Sequence, residues 1–73
     1  MNKKEFIDNL KEILDTKDNI NHKTKLEVYH YDSLSVIAII AIKEQHFKKL
    51  KIDLDKISEC KTVNELLVLF KLD

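Results

Sequence analysis

Along the first fifteen positions the apolar residues are Phe6, Ile7, Leu10, Ile13 and Leu14, with lysines and acids between them. Steps of three and four put these side chains on one stripe, so the pattern predicts an amphipathic helix over about residues 2–15. From Asp15 to Asp32 the apolar residues thin out and Asp18, Asn19, Asn21, His22 and Thr24 mark a long loop. A loop of that length in a compact domain is functional or pinned to the core, and Ile20, Leu26, Val28, Tyr29 and Tyr31 are the available pins. Asp32 is a good N-cap for a second helix over 33–47, which carries Leu34, Val36, Ile37, Ile39, Ile40, Ala41, Ile42 and Phe47. Its β-branched run also suits a strand, but the run continues into strong helix formers and no glycine-containing turn is present to make a hairpin. Lys48–Lys51 reads as a connector and 53–58 as a short helix. A last helix over 62–71 opens on Thr62 with Glu65 three residues on, a capping box, and carries Val63, Leu66, Leu67, Leu69 and Phe70.

These elements predict an all-α fold, a four-helix bundle of three longer helices and one short one with a long first loop, as a single domain over 1–73. The expected core is Phe6, Leu10, Ile13, Leu14, Ile40, Phe47, Ile57, Val63, Leu66 and Phe70. Composition sharpens this picture in one respect. The chain has no glycine and no proline, which leaves Asn, Asp, Ser and Thr to cap and punctuate its helices. A hydrophobic share of 44% with zero formal net charge is that of a folding chain, not a disordered one. Seventy-three residues leave little room for a deep catalytic cleft, and no paired acid and base or nucleophile and base stands out.

Thirteen lysines balance thirteen acids, but residues 33–52 hold four lysines against one acid. Without a single arginine, the residue suited to forked contacts with phosphates and bases, a nucleic-acid partner is not expected. One cysteine, Cys60, excludes an internal disulfide and fits a reducing cytoplasm. No stretch has the length and apolarity of a membrane span, so no membrane insertion is expected.

Chemistry concentrates at Asp32-Ser33. A serine at the first position of a helix lies where unpaired backbone N–H groups and the positive end of the helix dipole favour an anion. Around it stand Thr24-Lys25-Leu26-Glu27, then Asp32-Ser33-Leu34-Ser35, Phe47, Ile57, and Thr62-Val63-Asn64-Glu65-Leu66. In that order and at that spacing the chain resembles the acyl carrier proteins. The resemblance implies a bundle of the acyl-carrier type with 4′-phosphopantetheine on Ser33. A phosphopantetheinyl transferase would load the arm from coenzyme A with Mg²⁺, and Asp32 would help to hold that metal. The cargo would be acyl intermediates held as thioesters, whether fatty acyl, amino acyl or polyketide, presented to acyl-loading and acyl-processing enzymes of fatty-acid biosynthesis and lipid metabolism or of a specialised pathway, by a non-catalytic, monomeric carrier. Ile-rich walls between the helices would accept a long acyl chain.

Two departures from the family pattern carry expectations of their own. Members commonly have a Leu-Gly pair shortly before Asp-Ser-Leu, where this chain reads Val28-Tyr29-His30-Tyr31, so His30 is expected to meet backbone angles that glycine reaches more cheaply. The second helix usually displays acids, whereas here Ser35, Val36 and Ala38 take those positions, with only Glu44 further on, and Lys43 replaces a usually apolar residue. Partner recognition is then expected to rest on Leu34, Ile37, Ala38 and Ala41, with Glu44, more than on charge steering, which implies a specialised carrier with dedicated partners. A rival reading is a helical interaction module of the same fold without the cofactor. His22, His30 and His46 lack metal-ligand spacing, and the Lys43, Lys48, Lys49 and Lys51 group reads as a solvated helix end.

Overall fold

The computed structural model describes residues 1–73 and is all-helical. α1 spans Lys3–Ile13, α2 Ser33–His46, α3 Leu54–Ser58 and α4 Val63–Leu69, and a 3-10 turn, Leu26–Tyr29, lies inside the long first loop. Each long helix opens on a polar cap. The Asn2 side chain accepts from Glu5 N–H at 2.8 Å while Glu5 Oε1 accepts from Asn2 N–H at 3.1 Å. Thr62 Oγ1 accepts from Glu65 N–H at 3.3 Å, and Glu65 Oε2 accepts from Thr62 N–H at 2.9 Å. These reciprocal pairs satisfy amides that the first turn leaves without partners.

The helices stop earlier than the hydrophobic pattern suggests, because it does not register the left-handed residues that end them. After α1, Asp15 takes φ 53°, with Asp15 N–H donating to the Glu12 carbonyl at 3.1 Å and Thr16 N–H to the Lys11 carbonyl at 3.0 Å. After α4, Lys71 takes φ 57°, with Lys71 N–H donating to Val68 and Leu72 N–H to Leu67 at 2.8 Å. Both are Schellman stops, whose left-handed position is usually glycine. His30, at φ 57° and ψ 53°, closes the 3-10 turn in the same conformation, where the sequence comparison expects the missing glycine to be felt. A side chain with a Cβ is strained there by roughly 1–2 kcal/mol. Asp15→Gly, His30→Gly and Lys71→Gly are each expected to raise stability by on the order of 0.5–1 kcal/mol, since glycine's freedom in the unfolded chain offsets part of the relief. The measurement is a higher urea midpoint at unchanged slope.

The buried core draws on every helix and on the loop. Phe6, Leu10 and Leu14 come from α1 and its end, Val36 and Ile39 from α2, Ile57 from α3, and Val63, Leu66, Leu67 and Phe70 from α4 and its cap. Three expected core members, Ile13, Ile40 and Phe47, are only partly buried against this cluster. In α2 the inward position belongs to Ile39, and its neighbour Ile40, turned by about 100°, falls on the flank. Phe47 leaves one edge at the surface while its ring meets Phe70 at 5.0 Å and Phe6 at 6.4 Å, and Phe6 meets Phe70 at 4.9 Å. Three chain segments thus join through edge-on and tilted aromatic contacts.

The long loop is pinned as its length demands, though not by every residue expected. Ile20 and Leu26 are buried and Tyr29 and Tyr31 half-buried, but Val28 is 66% exposed because the 3-10 turn directs it outward. Backbone bonds do the rest. Leu26 N–H donates to the Lys61 carbonyl at 2.9 Å, Val63 N–H to Thr24 at 3.0 Å and Asn64 N–H to His22 at 3.0 Å, around an antiparallel bridge of Lys25 with Thr62. The Thr24–Glu27 and Thr62–Leu66 segments, far apart in sequence, therefore lie against each other. The Tyr31 hydroxyl donates to the Ile57 carbonyl, which ties the loop's last turn to α3 immediately before Asp32 and Ser33.

Candidate functional site

Asp32 and Ser33 stand where that tied loop becomes α2. Asp32 is extended, at φ −118° and ψ −170°, and caps the helix. Its Oδ1 accepts from Ser35 N–H at 3.1 Å and from Ser35 Oγ–H at 3.3 Å. The Ser35 amide bond, foremost, holds the Asp32 carboxyl below the usual carboxylate range, so it is ionised at neutral pH. Both bonds fall on one carboxylate oxygen and leave Oδ2 uncommitted to Ser35.

The two serines flanking Leu34 are thereby separated in role. Ser33 is the first residue of α2 and is exposed, whereas Ser35 is 5% exposed with its hydroxyl turned back to Asp32. In the sequence Ser35 stands out as the end of the Asp32-Ser33-Leu34-Ser35 element and as a position where an acid is usual, not as a buried capping partner. Its signal as a capping partner was its place three residues after Asp32. An exposed hydroxyl on the first turn, beside an ionised carboxylate able to share a divalent cation, suits the attachment of a phosphate ester.

A groove of about 380 Å³ opens beside this turn, between the end of α1 and the start of α2, walled by Ile13, Leu14, Tyr29, Leu34 and Ala38 with His30 at its rim. The expected docking residues divide. Leu34, Ile37, Ala41 and Glu44 form one exposed stripe at steps of three and four, while Ala38 is half-buried and faces the groove. Lys43 Nζ lies 3.6 Å from Glu44 Oε1 with its side chain only 13% exposed.

No group of three His, Cys, Asp or Glu side chains is placed to hold a metal ion, and no helix is long and apolar enough to cross a membrane. Tyr29 donates its hydroxyl to Asp18 Oδ2 at 2.9 Å, a bond that leads the causes raising the phenol's pKa. Burial raises that of Tyr31 further. Cys60 is buried, donates its thiol to the Lys56 carbonyl at 3.3 Å, and is pushed up to about 11 by burial first and by Glu65 and Glu59 next. At neutral pH the thiol is then protonated and a poor nucleophile. Iodoacetamide at neutral pH is expected to leave Cys60 unmodified in the native protein and to label it in urea, as read by intact mass; rapid native labelling contradicts this.

Comparison with curated proteins and with solved structures gave no significant match. A family model for the phosphopantetheine attachment site matches residues 4–68, which spans α1 after its first residue, the pinned loop, the Asp32-Ser33 turn and all but the last residue of α4. The chain belongs to the phosphopantetheine-attachment family, whose members carry 4′-phosphopantetheine covalently and leave catalysis to the enzymes that visit them.

Proposed function

We propose that Ser33 is the attachment residue and that the protein is an acyl carrier, holding acyl intermediates as thioesters for biosynthetic enzymes of lipid metabolism. The observation that carries this reading is the exposure of the Ser33 hydroxyl on the first turn of α2, with Ser35 buried and Asp32 ionised beside it. In loading, the Ser33 oxygen attacks the pyrophosphate of coenzyme A and a phosphodiester forms. Adenosine bisphosphate leaves with the electrons of the broken P–O bond, and the hydroxyl proton passes to the transferase. Asp32, whose Oδ2 is not bonded to Ser35, would help hold the Mg²⁺ of the transfer, which would offset repulsion between the carboxylate and the incoming phosphate. Ser35 keeps that carboxylate in place by occupying Oδ1. The first turn of α2 offers its dipole to the product ester.

The arm supplies a terminal thiol, and thioester chemistry belongs to it and not to the protein. Cys60, buried and protonated, does not compete. The remaining parts of the reading follow from what surrounds the turn. Residues 1–73 act as one monomeric domain. Leu34, Ile37, Ala38, Ala41 and Glu44 meet the transferase and the acyl-loading and acyl-processing enzymes. A single unpaired, buried thiol suits the cytoplasm. The direct test is intact mass after incubation with coenzyme A, Mg²⁺ and a broad-specificity phosphopantetheinyl transferase. One added phosphopantetheine, mapped to the peptide containing Ser33, is expected; an unchanged mass, or an arm mapped elsewhere, overturns the assignment.

A further inference from the structure

Ser33 and His46 stand at opposite ends of α2, whose 14 residues give it a length of about 20 Å. Beyond His46 a second groove opens, of about 600 Å³, with Phe47, Leu50 and Leu72 half-buried in its lining above buried Phe70. Every charged side chain in that lining is basic. Lys48, Lys49 and Lys71 are exposed, none of the three forms an ion pair, and His46 stands with them. The acids nearby leave this excess in place. Glu44 lies outside the lining and faces Lys43 at 3.6 Å, Asp53 offsets Lys51, and Asp73, exposed beyond Leu72, answers at most one lysine. α1 begins at the same end, since Phe6 meets both Phe47 and Phe70, and there Lys3 and Lys4 outnumber Glu5, whose Oε1 accepts from Asn2 N–H. The dipole of α2 accounts for lysines after its last turn, but not for an apolar lining left open between them.

We propose that this groove is a docking site for an acidic segment of a partner protein, one that sets a large apolar side chain between carboxylates. Charge complementarity selects the occupant. Carboxylates meet Lys48, Lys49 and Lys71 at the rim, where both partners stay partly solvated, and the apolar side chain covers Phe47, Leu50 and Leu72. A bilayer surface or a phosphate backbone would meet the lysines and leave the apolar lining uncovered. With zero formal net charge the chain as a whole has no pull on anions, so attraction of an acidic partner is local to this end. A partner held here sits about 20 Å from the first turn of α2 and leaves exposed Ser33 and Leu34 free. Docking of this kind needs no group on Ser33.

The experiment titrates the isotope-labelled full chain with a short peptide of glutamates around a central phenylalanine and follows the backbone amides by NMR. Saturable shifts over residues 46–50 and 70–72, with none at Ser33 or Leu34, are expected. Lys48→Gln together with Lys49→Gln is expected to weaken binding about tenfold, as is alanine in place of the peptide's phenylalanine. Raising NaCl from about 50 to about 500 mM is expected to weaken it severalfold, and a peptide with glutamines for its glutamates to give no shifts. Lys17→Gln, at an exposed position in the first loop, is expected to leave binding as it was. Circular dichroism of each variant controls for the fold. The absence of saturable shifts, shifts scattered over lysines elsewhere, or equal binding by the chain without Lys48 and Lys49 overturns the proposal. So does binding to phosphatidylglycerol vesicles that depends on those two lysines while the peptide gives no shifts, which assigns the groove to a lipid surface instead.

Discussion

Alanine at position 33 is expected to abolish loading, by at least about a thousandfold in kcat/KM, and Ser35 will not take over. Chemical identity alone would allow the substitution, as the two hydroxyls are separated only by Leu34. Placement forbids it: Ser35 is buried and its proton is directed to Asp32 Oδ1, so a transferase would have to break the helix cap to reach it. Ser35→Ala, in contrast, keeps the backbone bond to Asp32 and should still accept the arm. Asp32→Asn separates cap from charge at the same turn. Asparagine caps as well as aspartate, so the fold is retained, while the loss of one negative charge should lower kcat and shift the reaction toward higher Mg²⁺. The pH dependence has a definite sign. With its pKa depressed in the folded protein, the Asp32 carboxylate contributes to the cap above its unfolded value, and the contribution is lost as pH falls through the folded value. Loading of the Ser33→Ala chain, read by intact mass, would end the assignment.

Phe70→Ala is expected to be the most damaging core change. The ring is 1% exposed and packs on Phe6 at 4.9 Å and Phe47 at 5.0 Å, so its loss breaks the junction of α1, the end of α2 and the end of α4 at once. Truncating a buried phenylalanine costs about 3–5 kcal/mol. A domain of this size is stable by only about 4–11 kcal/mol at typical values per residue. Most of the margin would go, and thermal unfolding should move down by well over ten degrees, or the variant should be unfolded at room temperature. A shift of only a few degrees would mean that the surrounding side chains close over the cavity. Phe47→Ala, from a half-buried position, should cost less.

Local chemistry explains which parts of this fold are legible in the sequence. Thr62 with Glu65 and Asp32 ahead of Ser33 are short-range capping signals, and both helix starts lie where those signals place them. α1 reads clearly because polar residues separate its apolar ones. α2 does not, since apolar residues surround it and no periodicity singles out Ile39 over Ile40 or marks Ser35 as buried. Helix ends run past their true stops for a different reason. The usual glycine is replaced by Asp15 and Lys71, which carry no stop signal of their own. The clamp on the loop is hidden for a third: Leu26, expected as a pin, and Tyr31 find their bonding partners across the chain at Lys61 and Ile57, which no window of neighbouring residues contains.

That clamp of the loop on the start of α4 also bears on when the protein becomes competent. Leu26 and Lys61 are separated by almost half the chain, and closing so long a span is entropically slow. A nascent chain that has already emitted Ser33 still lacks the carbonyl of Lys61 and the edge of α4 against which the segment before the serine is ordered. The segment before Ser33 is therefore ordered only when the chain through Lys61 and the start of α4 is present, so a fragment ending before Lys61 lacks the carbonyl and the helix edge that hold it in place.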